Sequence, residues 1–308
     1  MHMNEDVAAI VLNYNGFDET KECIESLVAA GFSLSAIYLV DNCSPDRSGE
    51  KLKQLYPGVK FCQVGYNSGY GRGNNCGIRS AVSDGFQFIL IINNDVVVHP
   101  GFLQPLIREL RDRKDVGAVT GKVLYKNSPH IINAAGGKFS KVLCTGINLR
   151  IGEYDDLHAE KKEIDFIPGM LILLKREVIE RVGLLDETYF LYFEDIDYSL
   201  RIKKLYKMIY TSASTVYHRS GGGIKGRMYT ETYLYYYTRN RFWFFREMHS
   251  GYMFYVLILS FLSCMQKSLI VLAEKSDDRK RKLFSLWKGF FAGASGRRVP
   301  KGYHGIAR

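Results

Sequence analysis

The sequence predicts an α/β fold, a mostly parallel sheet flanked by helices, followed by a C-terminal helical extension. Three observations predict it. Apolar runs of strand length alternate with helix-length segments as far as about residue 200. Polar residues cluster after successive strands, at Asn13 and Asn15, Asp41, Asn67 and Asp95. The last third then turns basic and aromatic, with no Asp, Glu, Lys or Arg between His249 and Lys267.

The elements follow in order. Val7 to Leu12 is a continuous apolar run that ends at the turn Asn13-Tyr14-Asn15-Gly16. Asp18 caps a helix to Ala30 with Cys23, Ile24 and Leu27 on one face. Ala36 to Val40 is a second strand, ending at Asp41-Asn42, and Ser44-Pro45-Asp46 begins a second helix. Val59 to Val64 is a third strand. Asn67 to Asn75, rich in glycine, opens a helix through Ala81. Phe86 to Ile92 is a fourth strand, ending in the polar knuckle Asn93-Asn94-Asp95, and a helix spans Phe102 to Arg113. Val116 to Tyr125 is a further strand. Residues 126–163 are irregular, with a hairpin expected near Ala134 to Leu149. Ile164 to Leu174 is a strand interrupted at Pro168-Gly169, and a helix follows from Arg176 to Val182. Glu194, Asp195 and Asp197 open another helix behind the aromatics Phe190, Tyr192 and Phe193. Ile209 to Val216 is a strand with Tyr217-His218 at its end, and Gly221-Gly222-Gly223 marks a mobile loop. Tyr229 to Met248 is an aromatic, arginine-bearing helix. The uncharged window follows, then Arg279-Lys280-Arg281-Lys282 and the amphipathic stretch Leu283 to Phe291.

Hydrophobic residues make up 46% of the 308, enough for a sizeable core. Met1-His2-Met3 is set aside, and no charged-then-apolar leader follows it. Cysteines 23, 43, 62, 76, 144 and 264 show no metal spacing, so six reduced thiols are expected. The formal charge of +10 is asymmetric. Residues 1–200 carry 21 Lys and Arg against 27 Asp and Glu, net −6; residues 201–308 carry 21 against 5, net +16. Such a basic surface meets phosphate. No nucleic-acid signature accompanies it, and the apolar neighbours favour an anionic membrane surface over nucleic acid. The uncharged window is near the lower limit of a membrane span, so it crosses, re-enters or lies in the interface. Packing or dimerisation through these helices is the plain alternative.

Strand ends of an open α/β sheet converge on one edge, where ligands bind. Asn, Asp and Gly also simply make turns, so any one of these residues says little. Together they mark a site. Asp95, an acid between apolar runs, calls for a cation or hydrogen bonds. Asp195 beside aromatics has the partly buried setting in which a carboxylate acts as a base.

Taken in order, Val11 to Gly16, Val40-Asp41-Asn42, Asn67 to Asn75, Ile92 to Asp95, Phe193 to Asp197 and His218 resemble inverting glycosyltransferase family 2. Within it they resemble the bacterial rhamnosyltransferase-like branch, over residues 6–245. The resemblance implies a GT-A fold over residues 4–227, with a nucleotide-binding half at 4–125, an acceptor half at 126–227 and a helical region at 228–308. It implies that Asn13, Asn15 and Asp41 meet the base and ribose. Asn67, Gly71, Asn75 and Asn94 shape the nucleotide pocket. Asp95 is the last position of the DxD motif, whose first position is Asn93 here, and holds Mg²⁺ or Mn²⁺ with His218. Asp195 is the catalytic base, next to Glu194.

The chemistry is coherent. A cation on the donor diphosphate stabilises the leaving group, while a carboxylate takes the acceptor hydroxyl's proton. One displacement inverts the anomeric centre and needs no covalent nucleophile. The expected donor is dTDP-rhamnose, or a UDP-sugar for a galactofuranosyl or other hexosyl transfer. The expected acceptor is a glycan or lipid-linked glycan of the bacterial surface. The expected place is cytoplasmic, peripheral on the inner face of the cell membrane, with an oligomer through the C-terminal helices also open. Two other classes compete. Gly71 to Gly77 loosely imitates a dinucleotide fingerprint, but with GxGxxxG spacing. A non-catalytic membrane-bound scaffold would leave Asp95 and Asp195 structural.

Overall fold

Alternating apolar strands that face two different layers must have both faces covered, and the chain does this with helices from either side. The computed structural model describes residues 5–157, 159–219 and 229–296. The chain forms two units: residues 1–139, 146–186 and 195–220 in one, residues 140–145, 187–194 and 221–308 in the other. Two segments expected in the glycosyltransferase domain, 140–145 and 187–194, thus group with the C-terminal helices.

In the first unit, β1 (Val7–Asn13), α1 (Phe17–Ala29), β2 (Ile37–Asp41), α2 (Ser48–Leu55), β3 (Lys60–Gln63), α3 (Gly69–Ser83) and β4 (Phe88–Asn93) follow the expected alternation. β1 pairs in parallel with both β2 and β4, and β2 with β3. Then come β5 (Val96–Val98), α4 (Leu103–Asp112), β6 (Val116–Tyr125) and β7 (Ser128–Ala134). β8 (Gly137–Ser140) and β9 (Thr145–Asn148) form the expected hairpin as a separate two-stranded sheet. β10 (Lys161–Glu163), β11 (Leu171–Lys175), α5 (Arg176–Val182), α6 (Glu194–Lys203) and β12 (Lys207–His218) complete the set.

The large sheet runs β10-β12-β6-β11-β4-β1-β2-β3, with β5 on β12 and β7 on β6. Strands β1 to β4 are parallel, and β11 enters antiparallel between β4 and β6. The sheet is therefore mixed. Leu171 to Leu174 is equally apolar in either direction, so the sequence carries no mark of that reversal. The strand expected from Ile164 is also split: Leu171–Lys175 forms the strand, Phe166 makes an isolated antiparallel bridge with Gly137, and Pro168-Gly169-Met170 interrupts the pairing between them.

Strand period separates the two cores. Val7, Ala9, Val11, Leu90 and Ile92 pack with Ile24 and Leu27 of α1, Leu52 of α2 and Leu106 of α4. Ala8, Ile10, Val40, Ile89 and Ile91 pack with Ile78 of α3, Val178 of α5 and Tyr198 of α6. α3 presses close: a Cβ on Gly73 would lie 2.5 Å from Leu12, and one on Gly77 2.7 Å from Ile10. Those glycines serve helix-on-strand contact, which accounts for the imitation of a dinucleotide fingerprint. The expectation of six reduced thiols is corrected at one pair. Cys62, on β3, and Cys76, on α3, form a disulfide with Cα atoms 6.9 Å apart. The fold brings strand and helix together there, and a separation of 14 residues gave no signal of it.

In the second unit, Thr230 caps α7 (Glu231–Met248) by accepting from Tyr233 N–H at 3.1 Å. α8 (Met253–Ala273) and α9 (Arg279–Ala294) follow. A Cβ on Gly289 would lie 2.5 Å from Tyr235 O, and one on Gly293 2.5 Å from Phe242, so two missing side chains let α9 lie against α7. Gly221 to Gly223, expected as a loop, lies outside the described residues.

Candidate active site

The carboxyl edge of the parallel strands is built on one buried amide. Asn13, 0% exposed, donates Nδ2 to Asp41 Oδ1 at 2.9 Å, Ser44 Oγ at 3.0 Å and Ser48 Oγ at 2.8 Å. Its Oδ1 accepts from Thr20 Oγ1 at 2.8 Å. Asp41, also buried, accepts from Ser44 Oγ at 2.6 Å and Gln63 Nε2 at 2.8 Å. Gly49 lets α2 begin against it, since a Cβ there would lie 2.2 Å from the Asp41 carboxyl carbon. Asn13 and Asp41 thus stand inside the wall of the site rather than on its surface. Asn13→Ala strips a donor from two buried oxygens, on Asp41 and Ser48, and from the half-buried Ser44. We expect a loss of about 2 kcal/mol or more, read as a lower urea midpoint at unchanged slope.

The second strand end repeats the device. Asn42 donates Nδ2 to Asn67 Oδ1 at 2.9 Å, and its Oδ1 accepts from Ser68 N–H and Oγ, both at 2.9 Å. Asn75, 0% exposed, clamps the Leu185 backbone by giving Nδ2 to its O at 2.9 Å and accepting its N–H at 3.2 Å. Gly71 permits a close pass, with Asp186 O 2.9 Å from a Cβ placed there. The polar residues left facing outward are Asn15, exposed and held at a left-handed φ of 52°, and the half-buried Asn67 and Asn94. Asn94 Nδ2 donates to Thr20 Oγ1 at 2.9 Å, which ties the knuckle to the Asn13 hub.

Asp95 follows the end of β4. β5 then pairs antiparallel with β12, setting His218 opposite Val96. A register contact thereby closes a gap of 123 positions in the chain: His218 Nε2 lies 3.2 Å from Asp95 Oδ1. Among the described residues no cluster of three or more His, Cys, Asp or Glu forms a cage for a metal ion. The pair does fit an open site. A hard divalent cation commonly keeps waters and substrate phosphate oxygens alongside one or two protein carboxylates. Asn93 Oδ1 is a buried oxygen without a hydrogen-bond partner at the same knuckle.

Asp195 begins α6. Its Oδ2 accepts Gly169 N–H at 3.1 Å and its Oδ1 accepts Ile196 N–H at 2.8 Å. Burial raises its pKa above the ordinary carboxylate range, against the pull of those amides. Glu194 is buried, and Asp197 is tied to Arg201 Nε at 2.9 Å. In the second unit, Tyr192 and Phe193 both take left-handed φ, 69° and 76°, an uncommon conformation for bulky residues. The buried Asn240 of α7 holds that turn, donating Nδ2 to Leu191 O at 2.9 Å and Tyr192 O at 2.8 Å.

One segment unforeseen in the sequence joins the two acids. Asn93 N–H donates to Met170 O at 3.1 Å, and Tyr70 Oη donates to Gly169 O at 2.5 Å. Gly169 N–H reaches Asp195. Pro168-Gly169-Met170 therefore links the Asp95 knuckle, the Asn67–Asn75 segment and Asp195. The Pro-Gly interruption was its only signal. Asn42 stood in the strand-end motif without a role of its own, and Ser48, Gln63 and Asn240 gave no signal, because the bonds that matter here reach partners 20 or more positions away.

The family model described as "Glycosyl transferase family 2" matches residues 8–183. A low-salt glycan biosynthesis hexosyltransferase of Haloferax volcanii is 24% identical over 66% of this chain and 63% of its own. An N-acetylglucosaminyl-diphospho-decaprenol L-rhamnosyltransferase of Mycobacterium tuberculosis is 22% identical over 70% and 76%. A dTDP-rhamnosyl transferase of Shigella flexneri is 21% identical over 89% and 91%. The chain thus spans less than two thirds of the haloarchaeal relative. Among solved structures, GalNAc-T7 with UDP, GalNAc and Mn²⁺ has a TM-score of 0.57 at 17% identity, over 69% of this chain and 43% of that one. The mannosyltransferase of Pyrobaculum calidifontis with GDP-Man and Mn²⁺ has 0.51 at 15%, over 96% and 77%. These likenesses show the GT-A type of fold.

Proposed function

The chain belongs to glycosyl transferase family 2, and on that premise we propose that it transfers a sugar from a nucleoside diphosphate sugar to a hydroxyl of a glycan or lipid-linked glycan, with inversion. The observation that carries this reading is the Pro168-Gly169-Met170 segment. It hydrogen-bonds to the Asp95 knuckle through Met170 O and to Asp195 through Gly169 N–H.

In this reading Asn15, Asn67 and Asn94 line the nucleotide, and Asn13, Asp41 and Asn75 hold the loops that present them. Asp95 and His218 would hold Mg²⁺ or Mn²⁺, which supplies charge neutralisation to the departing diphosphate. The Gly169 and Ile196 amides fix both oxygens of Asp195 and leave each a lone pair for the acceptor's proton. Glu194, the residue before it in the chain, is the second acid of this pair in the reading. L-Rhamnose is the first donor to test, because two relatives are named rhamnosyltransferases. A hexose from a UDP-sugar is the second, favoured by the hexosyltransferase relative.

The test is thermal stabilisation by dTDP-rhamnose, UDP-hexoses and NAD, with Mn²⁺ present. We expect one sugar nucleotide to raise Tm, by an amount that grows with its concentration, and NAD to have no effect. Stabilisation by NAD alone would overturn the reading.

We also place the enzyme at the inner face of the cell membrane, lying on it. Ser250–Ala273 is long and apolar enough to cross a bilayer. Yet Val256, Ser260, Cys264, Lys267 and Val271 are buried along one face of α8 within its own unit. Phe254, Leu262 and Leu269 on α8 are exposed, and Arg279, Lys280 and Arg281 follow in the chain. That pairing of apolar face and cations suits an anionic interface. The protein should sediment with phosphatidylglycerol vesicles, less so at high salt. Leu262→Glu with Leu269→Glu should release it; unchanged sedimentation would contradict this placement.

A further inference from the structure

Among the described residues the second unit buries four basic side chains, Arg239, Arg241, Lys267 and Lys282. Two are satisfied. Lys282 Nζ meets Glu274 at 2.6 Å and Asp278 at 3.3 Å. Arg239 Nε donates to Asn240 Oδ1 at 2.9 Å, and its guanidinium stacks 4.0 Å from the Trp243 ring centre. Arg241 and Lys267 are different. They are 7% and 8% exposed, and neither hydrogen-bonds or pairs with any carboxylate among the described residues. Arg241 Nε is buried without an acceptor. Residues 1–4, 158, 220–228 and 297–308 carry no Asp or Glu side chain.

The two cations also act on each other. Burial, and then the charge of Arg241, push the Lys267 amine down to about 8. Around them stands a ring of half-buried tyrosines. Lys267 Nζ lies 5.7, 5.2 and 4.9 Å from the ring centres of Tyr229, Tyr233 and Tyr237. Arg241 lies 5.5 Å from Tyr237. Tyr192, three residues before Asp195 in the chain, packs edge-on against Tyr233 and Tyr237. Ring faces offset part of the cost of burying a cation, but they give guanidinium N–H groups no lone pair. Like charges buried together without an acid are the donor set an oxyanion completes. A guanidinium fork offers paired N–H donors to phosphate oxygens and an ammonium adds a point charge.

We propose that Arg241 and Lys267 bind a phosphate or diphosphate group carried by the acceptor, with the tyrosine ring facing what is attached to it. Naming the ligand's bearer as the acceptor rests on the glycosyl-transfer reading; the anion site itself does not.

The test uses the full chain without added metal, and two probes: inorganic pyrophosphate and farnesyl diphosphate. Either probe should bind and slow acetylation of Lys267, followed by mass spectrometry of the wild-type protein. Lys267→Met and Arg241→Gln should each weaken binding about tenfold or more, and Lys267→Arg should retain it. Binding of both probes assigns the site to the phosphate group alone; binding of farnesyl diphosphate only assigns it to a lipid-borne diphosphate. No binding of either probe overturns the proposal, as does binding that leaves Lys267 acetylation unchanged. The acetylation readout needs no variant, so a substitution that fails to fold does not blunt it. Stabilisation by sugar nucleotides, measured on the same sample, keeps the two readings apart. Probe binding without donor binding sinks the transfer reading and leaves the anion site standing.

Discussion

Asp195→Asn lowers the transfer rate by about 10²–10⁴-fold, the range of a positioned general base, while donor affinity stays near wild type. The substitution keeps shape and removes the basic lone pair. The pH profile gives a second signature. Burial raises the Asp195 pKa from its ordinary 3.8, so transfer must fall on the acid side as that carboxylate protonates. The limb lies above the range of an exposed Asp, nearer to neutral pH, and should vanish from the residual activity of the variant. The stability sign is opposite. A carboxyl whose folded pKa is raised holds its proton better in the folded chain. Its contribution to stability therefore declines as pH climbs from the unfolded value through the folded one. Wild-type activity should rise with pH over the same window in which this residue's contribution to stability falls. A variant with full activity would remove Asp195 from the chemistry.

Asp95→Ala weakens donor binding and transfer together, by about a hundredfold, as expected when several kcal/mol of charge stabilisation is removed. Excess EDTA should reproduce that loss in the wild type and add little in the variant. His218→Ala should have a smaller effect, about tenfold, since the carboxylate carries the charge and the imidazole completes the set. The readout is Kd for the sugar nucleotide with and without Mn²⁺. Asp95→Ala with an undiminished Mn²⁺ response would place the cation elsewhere.

The parts of this site that the sequence revealed are those held by local pattern. Apolar runs marked β1, β2, β3 and β4, and the polar residues at their ends marked the edge where Asp41 and Asp95 stand. What stayed hidden depends on pairings between distant positions. Nothing local sets β11 antiparallel beside β4, and the Cys62–Cys76 bond follows from α3 lying against β3. Asn13 and Asn75 sit at the expected places, but their full burial follows from Ser48 and Leu185 closing over them. A polar residue at a strand end is compatible with wall or surface, and only its partners decide which. His218 stood beside Asp95 only through the resemblance, since β5, three valines long, whose pairing brings them together, escaped notice as a strand. Asn240 lay hidden among the aromatics of α7.

The most direct test measures release of nucleoside diphosphate from dTDP-rhamnose and a panel of UDP-hexoses with Mn²⁺, comparing wild type with Asp195→Asn and Asp95→Ala. Wild type should cleave one donor, faster with a glycan acceptor added, and both variants should lose that acceptor-stimulated turnover. Release from no donor by a folded wild type, or equal acceptor-stimulated release by Asp195→Asn, would contradict the transfer reading.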